Sequence, residues 1–319
     1  MQVDLPIEEL EKFHYQEPEP ADFDEFWQST IAAETARPLD VAFTPVVTEL
    51  QTIDVFDVEF TGYGGARIKG WLLLPARRSG RVPAVVEFLG YGGGRGLPVE
   101  SLAYASAGFA HAILDTRGQG STWRAGHTPD PVGSTPAIPG HMTRGLLSRD
   151  DYYYRRLYVD AYRFVDVVRS SAEVDTDRLV ASGRSQGGAL SLVVAGLRSD
   201  VTMIVPHVPF LCAFRRALRM TAESPYGEVS RWLAIHRDQA PAAFATLAYF
   251  DGVSFARRAT CPAAFSVGLR DVVSPPSTVF AAHNAYGGPK EMVVWEFNGH
   301  ESGGPEDVLR TIRAVRGLP

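Results

Sequence analysis

Residues Gly183-Arg184-Ser185-Gln186-Gly187 lie between a short strand-like run, Arg178–Ala181, and an apolar helical pattern, Gln186–Leu197. A serine between two glycines at a strand-to-helix turn is the pattern of a nucleophile elbow. There the serine adopts a strained backbone conformation, and the residues two before and two after it must be small to leave room. Gly188 gives the following helix further space to approach. The helix N-terminus beneath the serine offers backbone N–H groups and a positive dipole end to a developing oxyanion. Taken alone, the same residues also describe a glycine-rich turn with an exposed serine, so the chemical reading depends on partners elsewhere in the chain.

Around this turn the pattern alternates between strands and helices. Strand-like runs occur at Asp54–Phe60, Ile68–Leu74, Ala84–Leu89, Phe109–Leu114, Thr202–Val205, Ala263–Val267 and Met292–Glu296. Helical spacing occupies Asp22–Ala36 (with Phe23, Phe26, Trp27 and Ile31 on one face), Tyr152–Arg169, Pro276–Tyr286 and Glu306–Arg316. Ala84–Leu89 is apolar throughout, as expected of a strand covered on both faces. The alternation predicts an α/β fold, a mostly parallel central sheet with helices on both faces, and together with the nucleophile elbow it fits the α/β-hydrolase fold. No linker or repeat divides residues 1–319, so one domain is expected, preceded by a helical extension over residues 1–50. Two segments break the rhythm. Residues 116–150 are rich in Gly, Pro and Thr and too long for an ordinary connector, which suggests a functional or partner-contacting loop. Residues 210–248 are helical in composition and predict a cap-like insertion between two strands.

A serine hydroxyl is a weak nucleophile near neutral pH and needs a base within hydrogen-bond reach. The fold predicts the chain order serine, acid, histidine, each after a strand. Asp271 follows Ala263–Val267, and His300 lies in the glycine-bounded loop after Met292–Glu296. The plainer reading of Asp271 is a turn residue ahead of Pro275-Pro276, and that of His300 a simple loop histidine. Among the other histidines, His111 falls in a strand and His283 in a helix. His127 and His141 lie in the long loop, where they could meet substrate or a neighbouring subunit. His207, just past a strand end, is the one rival base, but it precedes the acid in the chain. The oxyanion hole needs a second donor beside the Gln186 amide. The loop Gly90-Tyr91-Gly92-Gly93-Gly94-Arg95-Gly96 supplies it, with the Tyr91 amide favoured. A phosphate-binding reading of that loop is weaker, because no Gly-Lys-Ser/Thr follows it.

The net charge of −6, with basic residues scattered and nowhere grouped more densely than in pairs, argues against a nucleic-acid partner. Cys212 and Cys261 are too few for a disulfide framework and lack metal-ligand spacing, so they read as small buried hydrophobes. The acidic start, Met1 to Glu19, does not resemble a signal peptide, and no apolar run is long enough to span a membrane. A cytoplasmic location and no membrane partner are the resulting expectations.

Five segments together carry a more specific likeness: Tyr91-Gly-Gly-Gly-Arg-Gly96, Arg117-Gly-Gln119-Gly120, Gly183-Arg-Ser185-Gln-Gly-Gly188, Asp271-Val-Val-Ser-Pro-Pro-Ser-Thr278 and His300-Glu301. Their order resembles that of the acetyl xylan esterase/cephalosporin C deacetylase family, carbohydrate esterase family seven. The likeness runs from Leu5-Pro6, through Asp22-Phe-Asp-Glu-Phe-Trp27, to the last helix. The resemblance implies a Ser185–Asp271–His300 triad and an oxyanion hole of the Tyr91 and Gln186 amides. Arg117, Gln119 and Glu301 would support the site. It implies deacetylation of small acetylated sugars and cephalosporins without metal or cofactor, in a homohexamer whose interface would include the long loop. Two departures bear on substrate preference: Arg184 replaces the usual glycine and puts a cation near the nucleophile, and Ser101-Leu-Ala-Tyr-Ala105 is less aromatic than in many relatives. The competing readings are an α/β-hydrolase peptidase or amidase, with no propeller-sized domain to gate a peptide, and a non-catalytic binding protein on the same fold.

Overall fold

The central strands explain the architecture. In Val82–Phe88, Ala84, Val86 and Phe88 pack into one large core while Val85 packs into a second cluster on the opposite face, and all four are almost wholly buried. A strand with both faces buried needs helices on both sides. The computed structural model describes residues 3–132 and 140–318, so residues 133–139 of the long loop and residues 1, 2 and 319 lie outside the described part.

Nine strands form one sheet: β1 (Ala42–Val46), β2 (Ile53–Thr61), β3 (Arg67–Pro75), β4 (Val82–Phe88), β5 (Ala110–Leu114), β6 (Val174–Arg184), β7 (Met203–His207), β8 (Ala263–Gly268) and β9 (Lys290–Trp295). Their spatial order is β1-β2-β3-β5-β4-β6-β7-β8-β9. The first three pair antiparallel, β3 joins β5 antiparallel, and every pair from β5 to β9 is parallel. The helices are α1 (Ile7–Leu10), α2 (Phe23–Thr35), α3 (Ala103–Ser106), α4 (Tyr153–Arg169), α5 (Gln186–Leu197), α6 (Phe214–Met220), α7 (Tyr226–Ile235), α8 (Ala240–Leu247), α9 (Gly252–Arg258), α10 (Pro276–Ala285) and α11 (Pro305–Arg316). This is the α/β-hydrolase fold, with α6 to α8 inserted between β7 and β8. Among the described residues, no helix is long and apolar enough to cross a membrane.

Two expectations change. Residues 42–46, expected within a helical extension, form the edge strand β1, with Ala42 opposite Glu59 and Val46 opposite Val55. An edge strand buries little, so it shows no apolar run, and Pro45 obscures it further. β6 begins at Val174, earlier than the expected Arg178, because Asp175-Thr176-Asp177 resembles a turn in sequence. The helical extension proper holds on through aromatic packing. Trp27 stacks on Tyr158 at 5.6 Å between ring centroids, and its Nε1 donates to the Tyr249 carbonyl at 2.9 Å. Loss of such a buried aromatic costs about 3–5 kcal/mol.

Candidate active site

Ser185 stands between β6 and α5 with φ 58° and ψ −118°, a conformation that costs a non-glycine residue about 1–3 kcal/mol. Three backbone bonds hold it there. Its N–H donates to the His207 carbonyl at 2.9 Å, and its carbonyl accepts from Phe210 and Ala189, each at 3.0 Å. The flanking glycines are required by contact: a Cβ on Gly183 or Gly187 would strike the Phe88 carbonyl of β4.

Asp271 and His300 meet although 29 residues separate them. His300 Nδ1 lies 2.8 Å from Asp271 Oδ2, and Asp271 is fully buried. The other oxygen, Oδ1, accepts from the Val273 and Ser274 amides, each at 2.8 Å. A carboxylate engaged in this way accepts the Nδ1 proton, which leaves the Nε2 lone pair for a hydroxyl. In this conformation no hydrogen bond joins Ser185 Oγ to the ring, but Ser185 and His300 line one cavity of about 650 Å³. Such bonds often tighten only when substrate is bound.

The loop carrying His300 is fastened from both sides. Glu301 accepts from Asn298 Nδ2 at 3.0 Å and from the Gly299 amide at 3.1 Å. Arg184 donates to the Glu301 carbonyl and lies 3.5 Å from Asp307 Oδ2, a buried carboxylate that also accepts from the Gly303 amide at 2.8 Å. Arg184 therefore links the serine turn to the histidine loop, and its charge is met by Asp307.

The amides of Tyr91, a residue of the cavity lining, and of Gln186, which directly follows Ser185, donate to nothing among the described residues. The Tyr91 backbone is held through its side chain. Its hydroxyl donates to Glu228 of α7 at 2.8 Å and accepts from the His141 amide at 2.8 Å. Its carbonyl accepts from Trp123 Nε1 at 2.9 Å. Burial and then Glu228 push the Tyr91 phenol well above its ordinary value, so it remains a donor. Gln119 ties the two amide-bearing segments together. Its Oε1 accepts from the Gly92 amide at 2.6 Å, and its Nε2 donates to Gln186 Oε1 at 2.9 Å and to the Tyr153 hydroxyl at 3.0 Å. Arg117 sits one layer further back, clamped on Asp160 at 2.5 and 2.8 Å, and reaches the site only through its carbonyl, which accepts from Tyr153 at 2.6 Å.

The other histidines separate clearly. His207 faces Ser266 Oγ at 2.9 Å and Thr311 Oγ1 at 3.3 Å, and burial pushes it down to about 4. It is a buried wedge beneath the serine turn and lies away from the cavity lining. His141 is buried against Tyr153 and Tyr91 and likewise pushed down to about 4, with Arg144 adding to the effect. The sequence reading did not single out Glu228, Tyr153, Trp123 or the Glu87–His111 pair, whose partners come from distant segments. The first part of the long loop also forms site wall, since the amides of Gly94 and Gly96 donate to the carbonyls of Arg124 and Ala125. Among the described residues, no group of three or more His, Cys, Asp or Glu side chains converges as a metal centre requires.

The family model for acetyl xylan esterase (AXE1) matches residues 1–313. Acetyl esterase Axe7A of Xylanibacter ruminicola is 31% identical over 289 residues, and the match spans 88% of this chain and 63% of that protein's length. The structure of an acetyl xylan esterase from Paenibacillus sp. R4 superposes with a TM-score of 0.91 at 37% identity, covering 99% of this chain and 100% of that one. Acetyl xylan esterase 1 from Thermoanaerobacterium sp. JW/SL YS485 superposes at 0.89 with 31% identity, covering 98% and 99%. The chain belongs to the acetyl xylan esterase family, carboxylic ester hydrolases of the α/β-hydrolase superfamily.

Proposed function

We propose that the chain removes acetyl groups from small acetylated sugars such as xylo-oligosaccharides, and from cephalosporin C-type esters, through an acetyl-enzyme on Ser185. The observation that carries this is the His300 Nδ1–Asp271 contact of 2.8 Å, with His300 lining one cavity with a strained serine and Tyr91, and with the Tyr91 and Gln186 amides left without acceptors among the described residues. His300 Nε2 takes the Ser185 proton as Oγ bonds to the acetyl carbon, and the carbonyl oxygen becomes an oxyanion between the Tyr91 and Gln186 amides. The carbon–alkoxide bond then breaks, and the His300 proton passes to the leaving alcohol. Water, deprotonated by the same ring, attacks the acetyl-enzyme and releases acetate and Ser185. Asp271 keeps the imidazole in the required tautomer and stabilises its protonated form. Arg117, Gln119 and Glu301 position these groups without touching the reacting atoms.

Loss of the nucleophile or base of such a triad lowers kcat about a million-fold, and loss of the acid about ten-thousand-fold. Ser185→Ala and His300→Ala are therefore expected to be nearly inactive on p-nitrophenyl acetate, with Asp271→Asn severely impaired. Wild-type turnover by Ser185→Ala would refute the assignment. Faster cleavage of acetanilides than of matching acetyl esters would favour an amidase instead. The same reading includes a cytoplasmic homohexamer, for which light scattering should give six times the 34.8 kDa chain mass.

A further inference from the structure

The cavity holds two groups that the triad does not use. Trp123 is 55% exposed and lines the cavity beside Ser185. An exposed tryptophan on a loop is ordinarily free to turn, but this one is fixed. Its Nε1 bond to the Tyr91 carbonyl sets its plane, and its ring lies along the glycine loop, so that a Cβ on Gly93 would run into it and one on Gly90 would sit 3.6 Å away. Glycines at these positions leave the space that the indole fills.

The second group is Glu87, on the face of β4 opposite the large core. Its Oε2 meets His111 Nε2 at 2.7 Å, and His111 Nδ1 in turn faces the Ser101 carbonyl at 3.0 Å. Oε1 makes no hydrogen bond among the described residues, and the side chain is 28% exposed where it lines the cavity. Burial would raise this carboxyl, but the His111 hydrogen bond and charge outweigh it and hold it below its ordinary value. The cavity thus contains a carboxylate with a spare acceptor.

We propose that Trp123 and Glu87 form a sugar subsite for the alcohol side of the ester, with the indole stacking on the C–H face of a pyranose and Glu87 accepting its hydroxyls. This rests on the deacetylase reading above and ranks its substrates, with esters of neutral sugars ahead of those, cephalosporin C-type esters included, whose alcohol part carries a carboxylate. A rigid aromatic loses little conformational freedom when a ligand stacks on it, and a few placed polar groups in an apolar cavity set orientation. The ionised Glu87 accepts from neutral hydroxyls and repels a sugar that carries its own carboxylate. Of the cations that line the cavity, Arg184 lies 3.5 Å from Asp307, and Arg124 lies 3.7 Å from Glu100 and donates to Ser101 Oγ at 2.7 Å.

The test compares kcat and KM on monoacetylated xylobiose and on ethyl acetate for the wild type, Trp123→Ala, Trp123→Phe and Glu87→Gln. Calorimetric binding of the same xylobiose ester is measured in a Ser185→Ala background. Trp123→Ala should lower the ratio of sugar-ester to ethyl acetate kcat/KM about 10- to 100-fold, mainly through KM. Trp123→Phe, which keeps a ring but loses the Nε1 bond, should recover most of that ratio. Glu87→Gln should raise KM for the sugar ester and narrow the preference over a uronic-acid-bearing acetyl ester. Equal losses on both substrates with Trp123→Ala, together with unchanged calorimetric binding, would leave the indole as scaffold and overturn the subsite. A wild type that turns over ethyl acetate but no acetylated sugar would overturn the deacetylase reading and the subsite together.

Discussion

Gln119 offers the sharpest test of how the site is held together. In Gln119→Ala the Gly92 amide loses its acceptor, whereas Gln186 keeps its bonds to Tyr154 and Leu89 and Tyr153 keeps its bond to the Arg117 carbonyl. One buried N–H is orphaned, at a cost of about 1–3 kcal/mol, and the vacated volume adds to it, so the expected loss of stability is about 3 kcal/mol. The catalytic effect follows from position. Gly92 is the neighbour of Tyr91, and release of its N–H lets the Tyr91 amide drift from the oxyanion. Deleting such a donor outright costs about 100- to 1,000-fold in kcat, and displacing it should cost about 10- to 100-fold. Gln119→Leu refills the space without an acceptor, so it should regain part of the stability and none of the rate. Urea unfolding gives the first quantity, and saturation kinetics on p-nitrophenyl acetate give the second. Wild-type kcat in both variants, despite lowered stability, would refute the idea that this amide positions the oxyanion donors.

Three further outcomes follow from contacts described above. His141 and His207 fall from an ordinary 6.5 to about 4 on folding, so the unfolded chain binds their protons first and stability drops as pH falls from 6.5 toward 4. Asp251, pushed up to about 6 by burial, opposes this below pH 6, leaving a net loss of about 3 kcal/mol between neutral pH and about pH 4.5; equal urea midpoints at the two pH values would contradict it. Gly187→Ala drives a methyl into the Phe88 carbonyl and should cost more than about 3 kcal/mol or abolish soluble expression, as thermal unfolding or yield would report. Arg184→Ala frees the histidine loop and should lower kcat several-fold and alike for neutral and anionic acetyl esters; a loss confined to anionic esters would mean that Arg184 binds substrate.

The sequence revealed what local geometry dictates. Gly183, Ser185 and Gly187 pointed to a strained strand-to-helix turn, which the structure shows, and α5 runs from Gln186 to Leu197 as its apolar pattern predicts. The chain order Ser185, Asp271, His300 placed the acid and histidine in loops that do meet. Pairings across long separations were not legible. Nothing near Arg117 points to Asp160, nothing near Tyr91 points to Glu228, and Glu87 meets His111 only because β4 and β5 lie side by side in parallel register. Edge strand β1 was missed because burial, which writes the apolar pattern, is weak at a sheet margin. The sequence left open what the Arg184 charge does, because it shows the cation and hides buried Asp307, 3.5 Å away.

The Gln119 junction also bears on how activity returns after denaturation. Its partners come from the loop after β4, from α4 and from α5, with Gln119 itself on the segment after β5, so the cradle for the oxyanion is absent until all four have docked. Helices and sheet can form earlier than that. In a refolding time course, ester turnover should therefore lag the far-ultraviolet circular dichroism signal and rise together with the burial of tryptophan fluorescence.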